Sequence, residues 1–173
     1  MNKKYNLQEY IDRPIDFTHM QHFLAPYFKS TKLKVITKDD FENKTVKEIF
    51  NDEYAPFVIY FIENEGSDVG HYTTLIWLDE KTIESFDPLG NTKQNIQQNH
   101  QELVDFCDKN DLEIDFNKGG IQSKLASTCS RHCVYRCMLF NIKLDDFYKF
   151  YPPRKDMTPD EFVSSLIRYP KFN

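Results

Sequence analysis

Glycine is scarce in this chain, five residues among 173. No Gly/Ser stretch, internal repeat or low-complexity segment marks a linker, so one domain over residues 1–173 is expected. Cysteine is sparse too: four residues, at 107, 129, 133 and 137. That is too few for a disulfide scaffold of this length. Three of them crowd one short segment, which suits reduced thiols inside a cell. No apolar run reaches membrane-spanning length, and the N-terminal Met-Asn-Lys-Lys-Tyr-Asn leads into no apolar signal core. No membrane partner is expected. Positive charge is also lacking: the formal net charge is -5, which argues against a protein that coats nucleic acid. What the chain does have is apolar mass, 40% hydrophobic and 15% aromatic, enough to fill a sizeable core.

Residues 1–15 are polar, with Arg13-Pro14 as a breaker, and are expected to form a tail or loosely docked N-terminal arm. Phe17, Met20, Phe23 or Leu24, and Tyr27 recur at helical spacing, and Thr18 with Gln21 has capping-box spacing. A helix over 16–28 follows. A short strand is expected at 33–36 and a weak helix at 44–54. The apolar run 56–62 has strand length and reads as a central strand, followed by a polar turn over 63–70. Residues 71–78 and 82–87 form a hairpin around Asp79-Glu80-Lys81, stopped by Pro88-Leu89-Gly90. A helix over 92–110 carries Ile96, His100, Leu103 and Cys107 on one face, and Leu112, Ile114 and Phe116 alternate as a strand. A helix follows from Cys129, with Ser127 or Thr128 as N-cap, and 145–151 forms a further helical turn. Thr158-Pro159-Asp160-Glu161 combines an N-cap, a first-turn proline and a capping-box glutamate, starting a last helix that runs to about residue 169. The class is α+β: a mostly antiparallel sheet flanked by helices.

Cys129 falls in the first turn of its helix, where the positive end of the dipole favours thiolate over thiol. The hairpin offers it a base. If Leu78 opposes Thr82, then Thr73 opposes Asp87, and His71 shares a face with Asp87 on the diagonal, about 7–8 Å away at Cα. A carboxylate at that range can orient an imidazole and stabilise its charged form. The plainer alternative is a surface histidine and a turn-forming Asp-Pro. Gln122 lies seven residues before Cys129. Its side-chain amide could donate to an oxyanion together with the Cys129 backbone N–H; taken alone, it is a loop residue.

Gly70-His71-Tyr72, Phe86-Asp87-Pro88-Leu89-Gly90, Gln122 and Cys129, in that order, resemble the adenovirus maturation protease family. The sixteen residues from His71 to Asp87 and the seven from Gln122 to Cys129 are similar to the family's gaps. Cys129-Ser-Arg-His132 also resembles relatives in virophages and large DNA transposons, within a wider group that includes the proteases of ubiquitin-like proteins. The resemblance covers about residues 56–140. It implies a papain-like, adenain-like fold and a thiol endopeptidase. Cys129 is the implied nucleophile, His71 the base and then the acid, Asp87 the orienter and Gln122 the oxyanion donor. It implies no metal or organic cofactor. The implied substrates are viral precursor proteins of capsid or core, cut after Gly during virion maturation, in the virion and in infected-cell cytoplasm or virus factory. A peptide activator is a partner the resemblance allows; DNA binding is not indicated by the net charge. Two residues depart from the pattern. Ser130 stands where the family has Gly, and the acid is Asp87 where adenovirus has Glu.

Three rival readings remain open at this stage. Cys129, His132 or Cys133, and Cys137 have the helical spacing of zinc ligands, but no second ligand pair exists; Cys133 and Cys137 otherwise pack in the helix core. A non-catalytic capsid or interaction module could keep the same fold. A deconjugating protease for ubiquitin-like proteins would share the chemistry. His132 reads as a satisfied or surface residue, Arg131 and Arg136 as solvated or paired with an acid, and His19, His22 and His100 as structural. A narrow slot walled by Tyr72 or Trp77 would explain a demand for Gly at the scissile bond.

Overall fold

A computed structural model describes residues 8, 11–27, 33–50, 56–63, 70–92, 94, 96, 98 and 100–168. Five strands pair in sequence order: β1 (Val35–Ile36), β2 (Phe57–Glu63), β3 (Gly70–Asp79), β4 (Thr82–Phe86) and β5 (Glu113–Phe116). The two inner ladders, β2–β3 and β3–β4, are antiparallel, while the outer ones, β1–β2 and β4–β5, are parallel. The sheet is therefore mixed, where a mostly antiparallel one is expected from sequence. The reason is the connections: each edge strand is joined to its neighbour through helices, and such crossovers produce parallel pairs. Helices α2 (Lys38–Asn43) and α3 (Val46–Ile49) link β1 to β2, and α4 (Gln101–Lys109) links β4 to β5. The class α+β stands.

Strand alternation divides the core into two layers. Phe57, Ile59, Ile76 and Phe86 face α1 (Phe17–Leu24), α5 (Cys129–Met138), α6 (Leu144–Phe147) and α7 (Pro159–Leu166). Val58, Tyr60, Leu75 and Ile83 face α2, α3 and α4. The expected hairpin register holds away from the loop: Thr74 opposes Phe86, which places Thr73 opposite Asp87. At the loop it does not. Asp79, not Leu78, opposes Thr82, and a bulge between Trp77 and Asp79 absorbs the extra residue.

Several helix limits differ from expectation for local reasons. Helix α1 is capped by Asp16, whose carboxylate accepts from the His19 N–H, so the Thr18–Gln21 box is not used. The weak helix expected at 44–54 is confined, among the described residues, to α3, and α2 before it is not expected from sequence. Thr45 and Glu48 form a capping box that starts α3, with Thr45 N donating to Glu48 at 2.8 Å and Glu48 N to Thr45 Oγ1 at 3.3 Å. The helix expected over 92–110 is interrupted at His100 (φ -132°, ψ 13°), which serves as the N-cap of α4. The Thr158 box is formed as expected, and α7 stops at Leu166. Residues 28, 51–55, 64–69 and 169, on which parts of these expectations fall, lie outside the described residues.

Helix α5 is held along its length. The Cys133 thiol donates to Tyr72 O at 3.2 Å, and one turn later Cys137 approaches Thr74 Oγ1 at 3.9 Å, so both thiols pack on β3. Arg136 is fully buried and meets Glu84 of β4 through two bonds of 2.7 and 2.8 Å. It also donates to Leu139 O and Ile142 O, and lies 5.0 Å from the Phe147 ring centre. Arg131, also buried, donates to Ile167 O at 3.1 Å and Arg13 O at 2.6 Å. The segment before α1 is fastened here too. Ile15 is buried with its N–H on Ser130 Oγ (3.2 Å), and Ser127 N donates to Ile11 O (3.0 Å). Ser130 thus uses its hydroxyl to anchor Ile15 against the start of α5.

Candidate active site

The start of α5, the start of β3 and the turn after β4 converge. His71 Nε2 lies 2.7 Å from Asp87 Oδ1, the relationship expected from the hairpin. The Asp87 side chain is buried and its Oδ1 also accepts from Leu89 N at 2.8 Å, while His71 keeps a side-chain exposure of 16%. With Nε2 committed to Asp87, Nδ1 is left for Cys129, which acts electrostatically on the His71 ring. His71, Asp87 and Cys129 are therefore brought together.

Their charges reinforce one another. Burial opposes charge on His71, but the interactions with Asp87 and Cys129 outweigh it and push its pKa up to about 10. Burial also resists ionisation of Asp87, yet His100 at ion-pair range and the bonds from His71 and Leu89 N hold its carboxyl well below the usual range. Burial would raise the Cys129 thiol as well; His71 and the backbone N–H groups of Tyr72 and Ser130 bring it below its ordinary value instead. The other thiols go the opposite way: burial pushes Cys107 and Cys137 up to about 12 and Cys133 well above its normal value. Cys129 is the one thiol among the described residues whose pKa is lowered, and it faces a histidine whose pKa is raised. It is 7% exposed, so a substrate has to reach a largely covered residue.

Thr128 occupies the N-cap position but makes no side-chain cap. Its hydroxyl donates to Asp160 of α7 instead. This matters because the first N–H groups of α5 are then not consumed by a capping side chain, and the helix end can act on the thiolate. Asp160 organises the whole approach to Cys129. Besides Thr128 it accepts from Ser123 N (2.9 Å) and meets His132 Nε2 (3.1 Å). His132 Nδ1 lies 2.9 Å from Tyr151 Oη, so both its nitrogens are occupied in the core. His132 is thus a satisfied buried residue, and burial lowers its pKa.

Gln122 reaches the site through its backbone. Its N–H and that of Ile121 both donate to Pro88 O, at 2.9 and 2.8 Å, tying this loop to the Asp87 turn. Its side chain folds back, Nε2 donating to Ala126 O at 2.7 Å. That carbonyl can only accept, so it fixes the amide orientation and leaves the second N–H of Nε2 for another acceptor. Asn117 secures the same turn from β5. Its Oδ1 accepts from Asp87 N at 2.8 Å, and its Nδ2 donates to Asp87 O at 2.7 Å.

Reasoning from sequence missed Asn117, Asp160 and His100, which lies 3.5 Å from Asp87 Oδ2. The available signals were modest: a polar residue ending a strand, an acid doubling as a helix first-turn residue, and a histidine on an apolar helix face. The slot walls need correction. Trp77 is six residues along β3 from His71, about 20 Å at strand rise, and its ring packs on Phe50. The Tyr72 backbone N–H acts on Cys129, while its ring packs on Phe61. The sulfur and imidazole groups of the rival metal reading are engaged in packing, and no cluster of three or more potential ligands occurs among the described residues. A cleft of about 1110 Å³ runs between Trp77, Phe116, Phe140 and Tyr148 and is lined by none of His71, Asp87, Gln122 or Cys129. Among the described residues no helix is long and apolar enough to cross a membrane. No protein-family model matches the chain, and comparison with curated proteins finds no match.

Proposed function

We propose that the chain is a cysteine endopeptidase of the adenovirus maturation type. The observation that carries this reading is His71 bonded to Asp87 and coupled electrostatically to Cys129, the first residue of a helix. In the proposed reaction the Cys129 thiolate attacks the scissile carbonyl carbon. The oxyanion accepts from N–H groups at the start of α5 and from the remaining N–H of Gln122. The tetrahedral species collapses as His71 gives its proton to the leaving amine, and a thioester remains on Cys129. His71, now neutral, takes a proton from water as that water attacks the thioester. The acid product leaves, and thiolate and imidazolium are restored. Asp87 holds the ring and its charge throughout.

The proposed substrates are viral precursor proteins of capsid or core, cut after Gly, in the virion or the infected cell. The test is incubation of the purified protein and of Cys129→Ala with capsid precursors, with a ubiquitin-like fusion, and with a peptide library, read by mass spectrometry. Cleavage after Gly in precursors, absent in Cys129→Ala, is expected. Cleavage of the ubiquitin-like fusion alone would reassign the substrate, and no cleavage of any would leave a non-catalytic module.

A further inference from the structure

His100 is the one buried histidine that the proposed reaction does not use and whose ring nitrogens have no hydrogen-bond partner among the described residues. It has no exposed surface. Its ring sits between Tyr60 of β2 and Phe116 of β5, with centroids 5.9 and 6.1 Å away. Its Nε2 lies 3.5 Å from Asp87 Oδ2, while Asp87 Oδ1 faces His71. An imidazole buried among aromatics with no partner would cost free energy for nothing gained. Here the ring faces the carboxylate that orients the base, within ion-pair range but without hydrogen-bond geometry.

We infer that His100 is a positioning residue, a second histidine on Asp87 that locks the carboxylate plane so that Oδ1 stays on His71. This rests on the proposed reading of His71 and Cys129 as a working pair. The chain of contacts is Cys129, His71, Asp87, His100, running from the start of α5 through β3 and the β4 turn to the start of α4. Position supports the role. His100 interrupts the helical path between Thr92 and Asn110, and that break sets its ring at the N-terminus of α4, beside the turn that carries Asp87. The other titratable groups around this chain are Tyr60, Tyr72 and Cys133, all with pKa values raised by burial and so neutral near pH 7, and Glu102, which acts on Tyr60.

Losing His100 frees the carboxylate to rotate, and His71 then loses part of the interaction that keeps it protonated. Its titration midpoint moves down. The experiment is NMR titration of the His71 ring in the full chain, in His100→Phe, which preserves volume and ring contacts, and in His100→Gln, which restores a donor. The His71 midpoint should fall by about one unit or more in His100→Phe and recover at least in part in His100→Gln, with Cys129 still alkylated by iodoacetamide. A midpoint unmoved in a folded His100→Phe would overturn the inference. Should His100→Phe not fold, Asp87→Asn serves: His100 ring-nitrogen resonances must shift, and unchanged resonances would equally overturn it. Peptide hydrolysis is a separate readout. A shifted midpoint without hydrolysis would refute the protease reading and leave the His100 role intact.

Discussion

Gly90 and Gly120 press backbone against backbone. A Cβ on Gly120 would stand 2.3 Å from Leu89 O, and one on Gly90 would stand 2.4 Å from Gly120 N. Gly90 also has φ +87°, a conformation that side chains disfavour. This contact, with the two N–H bonds to Pro88 O, is what brings the Gln122 loop against the Asp87 turn. Gly120→Ala should therefore separate oxyanion donor from base. The expected cost is about 1–3 kcal/mol of stability, a melting-temperature fall of roughly 2–4 °C for each kcal/mol. Turnover should drop more than stability predicts, while iodoacetamide labelling of Cys129 persists. Calorimetry alongside peptide hydrolysis checks it; a variant with full turnover would mean the two loops need not touch.

The ion pair sets a pH window. Cys129 is lowered and His71 raised to about 10. The thiolate should therefore react with iodoacetamide at neutral pH, far faster than Cys107, Cys133 or Cys137, whose thiols are raised. In the proposed reaction peptide turnover needs the His71 proton for the leaving amine, so it should decline as pH rises through about 10. Asp87→Asn removes the charge that favours imidazolium and should bring that decline to lower pH. His71→Ala should abolish turnover, nearly as completely as Cys129→Ala. An alkaline limb unchanged in Asp87→Asn would detach Asp87 from the base.

Much of this geometry was legible in the sequence because it is local. His71 and Asp87 are joined by one hairpin, and strand period fixes which residues share a face. The position of Cys129 in a first helical turn followed from a polar run ahead of an apolar one. The bulge at Leu78 was not legible, since it reflects how the loop closes and leaves no compositional mark. Nor were the parallel edges: β1 is two residues long and takes its direction from the helices that follow it. Arg131 and Arg136 show the same limit. Their partners, Ile167 O, Arg13 O and Glu84, lie 36, 118 and 52 residues away, and only the packed fold brings them within reach.

The Glu84–Arg136 pair should behave as a buried pair does. Glu84→Gln leaves the Arg136 charge without its bidentate partner, so a loss of about 3–5 kcal/mol is expected. Replacing Glu84 and Arg136 together by Leu and Met should recover part of it. Denaturant unfolding of the single and double variants checks this. A Glu84→Gln loss within about 0.5 kcal/mol, the usual scale for surface substitutions, would mean that Arg136 is held by Leu139 O, Ile142 O and Phe147 alone.

Asp160 should matter to the loop more than to the helix it begins. Asp160→Ala strands the Ser123 N–H, the Thr128 hydroxyl and His132 together, each a buried or part-buried group that loses a partner. Leaving one such group unsatisfied costs about 1–3 kcal/mol. The loop between Gln122 and Cys129 should loosen, with higher amide exchange over 122–128 and reduced turnover. The pH sign follows from its carboxyl. Burial would raise its pKa, but His132, Thr128 and Ser123 N hold it below the ordinary value. Its contribution to stability is therefore present above about pH 4, the ordinary Asp range, and is lost as pH falls through the lowered value. In acid, the parent should approach the exchange pattern of Asp160→Ala. If loop exchange in the variant matches the parent at neutral pH, the loop is held by Ile11 O and Pro88 O instead, and Asp160 serves only the start of α7.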